Sequence, residues 1–249
     1  MTFMILYENE EINHLFDEKI KIIQNKTVFS FSLDTILLAY FTQIKKNSKI
    51  ADLCSGNGAA SLFLTHYYKK AQIDAVEIQS DIAEMAKRSV ALNELSEQIT
   101  VYNRDAKEAT DFLKKDSYDA VICNPPYFEL DSGHKVNPNE QLAIARHEIM
   151  INLEDIIKTA SGLLKTKGKL FMVHRPDRLT EMITLMAKYD LMPRKIQSVI
   201  PKKGREANIV LVEAMAKGSM TGVKLLPEIV VHETDNNYTE FIQRILAGE

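Results

Sequence analysis

The chain has 249 residues, 45% hydrophobic and 26% charged, with a formal net charge of −3. That balance excludes disordered, collagen-like and disulfide-framework proteins and leaves one large α/β domain or two smaller ones. A mildly acidic chain is also no generic nucleic-acid coat.

The opening MTFMILYENEE has no basic start, and its apolar run stops at Glu8. Neither a signal peptide nor a membrane span is expected there, and nowhere do about 20 apolar residues run together. The first forty or so residues read as a separate small element, a strand pair followed by a helix from Leu33 to Phe41. Short Val- and Ile-rich runs then mark strands at Lys49–Leu53, Ile73–Ile78, Ile99–Asn103, Tyr118–Cys123 and Lys169–His174, as expected for strands covered on both faces. Helical patterns fall between them at Ala59–Tyr68, Ser80–Leu92, roughly Ala106–Leu113, and Leu153–Leu164, the last stopped by Gly168. After Asp190 the pattern becomes strand–turn–strand: Arg194–Ile200 and Ala207–Ala214 flank the basic tip Pro201–Glu206. Glu228–His232 and a helix over Thr239–Leu246 close the chain.

This alternation implies an α/β fold, a doubly wound, mostly parallel seven-stranded sheet ending in an antiparallel C-terminal hairpin. Residues 1–45 are expected to cap a core of residues 46–249, the two forming one globular unit. Cys54 and Cys123 are the only cysteines, too few and too far apart for a framework, so a reduced, cytoplasmic protein is expected. With six scattered histidines, no metal-ligand spacing appears. Charge is uneven. From Lys165 to Arg205 eleven Lys/Arg face three acidic residues, a local +8 that suits a polyanion bound at one place.

Asp52-Leu53-Cys54-Ser55-Gly56-Asn57-Gly58 follows the first core strand and opens a helix. Its glycines permit positive φ and close ligand approach. Glu77 ends the next strand, where a carboxylate can take both ribose hydroxyls; Asp105 follows the third, placed for an adenine amine; Asn124 ends the fourth. Polar residues at successive strand ends converge on the crevice where such sheets bind ligands. No GxxxxGK[ST] occurs, so a cofactor without phosphates, S-adenosylmethionine (SAM), fits the loop.

Asn124-Pro125-Pro126-Tyr127 is the most specific motif. The prolines remove backbone donors and fix φ, leaving the Asn124 amide oxygen and a main-chain carbonyl as converging acceptors. Those suit a planar –NH2, which has two donors and almost no basic lone pair. Tyr127 offers a face for a flat base, worth about 1–3 kcal/mol in stacking.

With these motifs the chain resembles class I SAM-dependent methyltransferases of the N6-adenine type, more narrowly the tRNA1(Val) adenine-37 N6-methyltransferase family. The similarity extends through Phe29–Leu38, Ala145–Glu148, His174-Arg175-Pro176 and Ala207–Ala214. It implies SAM contacts at Phe31, Asp34, Asp52, Leu53, Cys54, Gly56, Gly58, Glu77, Ile78, Asp105, Ala106 and Asn124, and catalysis by Asn124, Pro125, Pro126 and Tyr127. Arg146 and His147 are implied to meet the substrate, although by themselves they read as a solvated helix start. Arg175, Arg194, Lys202, Lys203 and Arg205 are the expected phosphate contacts to tRNA. The expected enzyme is a monomer, a weak homodimer staying open. A protein glutamine amide or a DNA adenine would suit the same tetrapeptide, and a non-catalytic SAM- or RNA-binding module is the alternative outside enzymes.

Overall fold

A computed structural model describes residues 6–16, 19–25, 31–126, 152–219 and 222–249. The core strands in chain order are β3 (Lys49–Leu53), β4 (Gln72–Glu77), β5 (Ile99–Asn103), β6 (Tyr118–Cys123), β7 (Leu164–His174), β8 (Leu191–Lys202) and β9 (Ile209–Ala216). They lie side by side as β8-β9-β7-β6-β3-β4-β5. β3 to β7 are mutually parallel, and β9 runs antiparallel to both β7 and β8. The expected seven strands are therefore present, but the sheet has nine. β10 (Lys224–Leu225) and β11 (Ile229–His232) both pair in parallel with β8, end to end, and cover its open edge.

Side chains alternate across the sheet, so each central strand feeds two cores. In β6, Ala120 and Ile122 join one core while Val121 and Cys123 join the other. The first core is closed by α1 (Leu33–Phe41), α2 (Ala59–Tyr67), Val90 of α3 (Ser80–Leu92) and α7 (Glu240–Ala247). The second is closed by a short turn of helix, α4 (Ala109–Phe112), with α5 (Leu153–Leu163) and α6 (Leu179–Lys188). Continuing the alternation past Cys123 puts Asn124 on the α1 side.

Two details depart from the sequence reading. Helix α6 lies in a stretch whose basic residues dominated that reading; Met182 and Met186, one turn apart, are its buried residues. And Gly168 does not end α5. The helix stops at Leu163, Lys167 takes the left-handed turn (φ 64°), and Gly168 lies inside β7. It is glycine for want of room, since a Cβ would come within 2.8 Å of the Lys165 carbonyl and 2.9 Å of the Tyr118 carbonyl. Both neighbours are backbone and cannot swing aside. Gly168→Ala should destabilise the protein by about 1–3 kcal/mol in denaturant unfolding, and an unchanged midpoint would refute this account.

The N-terminal hairpin, β1 (Glu10–Leu15) with β2 (Ile20–Asn25), is antiparallel and docks on α3 and the glycine loop. Side chains from the core satisfy β2's backbone. Asn93 exchanges hydrogen bonds with Lys21 N–H and O, Ser89 Oγ accepts from Ile23 N–H, and Asn57 Nδ2 donates to Ile23 O. Arg88 adds a bidentate pair to Glu10 at 2.6 Å and lies over the Tyr7 ring.

Candidate active site

The glycine loop begins where β3 ends. Cys54 (φ 59°), Gly56 (55°) and Gly58 (83°) all take the left-handed region within five residues, turning the chain sharply into α2. Such conformations strain a non-glycine residue and persist where surrounding structure over-determines them. Here Ser55 N–H bonds Val76 O and Gly58 N–H bonds Ser55 O. At Gly58 it is the left-handed φ, not lack of room, that calls for glycine, since a Cβ would meet Ala86 Cβ at an ordinary 3.5 Å.

Two carboxylates flank this loop. Asp52 is buried and accepts a 2.6 Å hydrogen bond from Ser61 Oγ. Burial pushes its carboxyl up to about 7; the Ser61 bond opposes this, and the charge of Glu77 reinforces it. Glu77 is also buried, and accepts from the backbone N–H of Gly56 (3.0 Å) and of Gln79 (2.9 Å). These bonds fix the carboxylate at the mouth of the loop. Asn103 donates to the carbonyls of Glu77 and Ile78, holding the chain that leaves β4. Asp105 caps the 3-10 turn at Ala106–Glu108 by accepting from Lys107 N–H at 2.9 Å, with the Lys107 ammonium 3.6 Å away. Ala106 is buried behind it.

Asn124 leaves the carboxyl end of β6 half-buried, with Pro125 buried after it. Its Nδ2 donates to Thr35 Oγ1 at 2.8 Å, so α1 grips the amide from the first-core side. Burial raises the carboxyl of Asp34, one residue earlier, and Phe31 N–H donates to Gln24 Oε1. Cys123 is buried against Cys54; burial and that neighbouring thiol push it well up, which makes it a poor nucleophile. Tyr127, Arg146 and His147 lie outside the described residues.

At the end of β7, His174 is buried and its Nδ1 accepts Arg175 N–H at 2.8 Å, which leaves the ring proton on Nε2. Burial, then the charge of Arg178, lowers it to about 4, so the ring is neutral at pH 7. β8 runs parallel to β7 across β9. Arg175, Lys202, Lys203 and Arg205 therefore share the carboxyl edge of the sheet with the glycine loop, Glu77 and Asn124. Arg194 does not, lying near the amino end of β8 with its guanidinium donating to Ser219 O and Oγ. Lys202 Nζ donates to Thr234 O, while Lys203 and Arg205 are exposed in the turn.

The loop's donor set fits SAM. Buried Ser55 Oγ and Asn57 Oδ1 have no hydrogen-bond partner among the described residues, and such atoms call for a polar ligand or water. Fixed carboxylates suit a cationic cofactor bearing ribose hydroxyls. Among the described residues no three His, Cys, Asp or Glu could hold a metal ion, and no helix is long and apolar enough to cross a membrane.

Sequence reading missed Ser61, Asn57, Asn103 and Thr35. Each acts on a group remote in sequence or through its own backbone neighbours, and spacing carries no signal of that. Thr35 and Asn57 stood in motifs, Phe29–Leu38 and Asp52–Gly58, but with no role assigned to either side chain.

Comparison with known proteins agrees with this geometry. Residues 19–190 match the family model "Methyltransferase small domain". A curated relative from Aeromonas hydrophila, named tRNA1(Val) (adenine(37)-N6)-methyltransferase, is 28% identical over 83% of this chain and 84% of its own. One of the same name from Flavobacterium psychrophilum is 30% identical over 71% and 74%. A solved Agrobacterium tumefaciens structure, titled a predicted O-methyltransferase, superposes with a TM-score of 0.70 at 27% identity, covering 86% of this chain and 96% of that one. The chain belongs to the methyltransferase small domain family, alongside the tRNA1(Val) (adenine(37)-N6)-methyltransferases, and is a SAM-dependent methyltransferase.

Proposed function

We propose that this methyltransferase modifies N6 of an adenine in tRNA, at position 37 of a valine tRNA. The observation that carries the reading is the Asn124 amide, held at the carboxyl end of β6 beside the glycine loop and followed by two prolines. The names of its relatives supply the nucleotide and the tRNA.

Bound SAM supplies an electrophilic methyl group. Asp52, Ser55, Asn57, Gly56, Gly58 and Glu77 would hold it, with Asp105 toward its adenine. The chain's own part is to orient the acceptor. Asn124 Oδ1 and the Pro125 carbonyl accept the two N6 protons, which draws the nitrogen lone pair out of ring conjugation. Positioning and such polarising bonds provide most of the rate. Tyr127 stacks on the base. The surplus proton leaves to water, so no strong base is required; His174, neutral and engaged by Arg175, is not needed for that step. An adenine already unpaired in a loop avoids the unstacking cost of a duplex, a few kcal/mol. Two free thiols and a tRNA substrate suit the reducing cytoplasm, where the enzyme would act as a monomer.

The test is to incubate the protein and methyl-labelled SAM with unmodified tRNA, an unmethylated DNA duplex and a release-factor protein, and to identify the labelled product by mass spectrometry. N6-methyladenosine from tRNA, mapped by nuclease digestion, is expected. Label confined to DNA or to a glutamine side chain overturns the substrate.

Phosphate contacts are assigned to Lys202, Lys203 and Arg205, with Arg175 on the same edge. Neutralising the first three should weaken tRNA binding and flatten its log–log salt slope by about 2. SAM affinity should not move. An unchanged slope refutes the assignment.

A further inference from the structure

The bond between Asn124 and Thr35 spans 89 residues of sequence and ties the acceptor amide to the N-terminal element. The nitrogen and oxygen of a primary amide lie on opposite sides of its carbon. An amide held by its nitrogen therefore turns its oxygen away from the holder. Here the nitrogen faces α1, and the oxygen faces away from it. Thr35 is a rigid holder. It is buried on α1, its N–H bonds Ser32 O at 3.2 Å, and a β-branched side chain in a helix has few rotamers. The proline after Asn124 restricts the backbone but not the amide torsion, on which the Thr35 bond acts directly.

We propose that Thr35 is a positioning residue that fixes the orientation of the Asn124 amide for methyl transfer, an inference that rests on the acceptor role given to Asn124 above. It gives a helix ahead of the first core strand a part in the site. Asn57 Nδ2 on Ile23 O anchors the same element to the glycine loop, so the N-terminal segment reaches both halves of the active site.

Thr35→Val keeps the shape and removes the hydroxyl; Thr35→Ser keeps the hydroxyl and removes the methyl. In single-turnover assays at saturating SAM and tRNA, Thr35→Val should lose at least about tenfold in rate, its affinities for SAM and tRNA holding within about twofold. Thr35→Ser should recover to within about threefold of the parent. A Val variant with the parent rate, or a Ser variant as slow as Val, overturns the proposal, the second outcome pointing to methyl packing alone. A second arm needs no substrate. Hydrogen exchange of the Asn124 side-chain NH2, followed by NMR in 15N-labelled protein, should be slower in the parent than in Thr35→Val. If the parent labels no tRNA, the substrate reading fails by itself. Equal exchange in parent and Val variant would then still refute the role of Thr35.

Discussion

Asn124→Ala will lower turnover on tRNA by roughly 10²–10³-fold or more, the scale of losing one preorganised polar contact to the reacting group. SAM affinity will stay within about twofold, because the glycine loop and Glu77 hold that ligand without the amide. The reason lies in the acceptor's chemistry. An exocyclic amine conjugated to a purine has its lone pair spread into the ring, and only acceptors aimed at its protons localise it. Removing Oδ1 leaves the Pro125 carbonyl alone, and it also leaves Thr35 Oγ1 without its donor from Asn124. Isothermal titration with SAM and single-turnover rates on the same preparation separate the effects. Parallel losses in affinity and rate would instead make Asn124 part of the cofactor site.

Asp52→Asn will make the protein more stable at high pH and impair its SAM site. The folded-state carboxyl of Asp52 is raised to about 7 against an ordinary value of 3.8. A raised acid is neutral in both states below its unfolded value and adds no cost there. As pH climbs from about 4 to about 7 the unfolded chain releases the proton first, so stability is lost across that window and stays lost above it. The full loss is about 4 kcal/mol, carried because an ionised, buried Asp52 is useful next to a cation. Asparagine can still accept from Ser61 and never ionises. In guanidinium unfolding the variant's advantage should therefore be larger by about 2–3 kcal/mol near pH 8 than near pH 5. His174, lowered to about 4, slopes the other way, since its unfolded state takes up the proton as pH falls below about 6.5. That contribution is common to both proteins and cancels in the difference. SAM binding to the variant should weaken by about tenfold or more, as for a lost charged contact. An advantage that is the same at both pH values would mean that Asp52 titrates normally.

Much of this site was legible in the order of residues. β3, β5 and β6 occupy the spans that their apolar runs mark, and the glycine loop and the polar residues ending β3, β4 and β6 follow directly from those strand ends. Such features are local: a Val- and Ile-rich run is buried wherever it sits in a parallel sheet, and a glycine after it turns the chain whatever lies elsewhere. Gly168 shows the limit. As a residue type it suggested a helix stop, and its actual cause, two carbonyls from Tyr118 and Lys165 packed against its α-carbon, exists only once β6 and β7 pair. Arg194 shows another. It counted toward a basic segment, yet strand direction sends it to the amino end of β8, away from Lys202, Lys203 and Arg205.

By itself, then, the sequence determined the fold class, the cofactor loop and the amide acceptor, because periodicity, glycine freedom and proline geometry act over a few residues. Only the tertiary structure decided which groups hold those parts in place: Ser61 on Asp52, Asn103 behind Glu77, Asn57 on Ile23 and Thr35 on Asn124. Asn103 on Glu77 joins neighbouring strands of the sheet, Asn57 on Ile23 and Thr35 on Asn124 join loop to hairpin and helix to strand end, and Ser61 on Asp52 crosses the turn from β3 into α2. A hydrogen bond reads distance in space, and a residue's neighbours in space are set by which strands pair, not by its place in the chain.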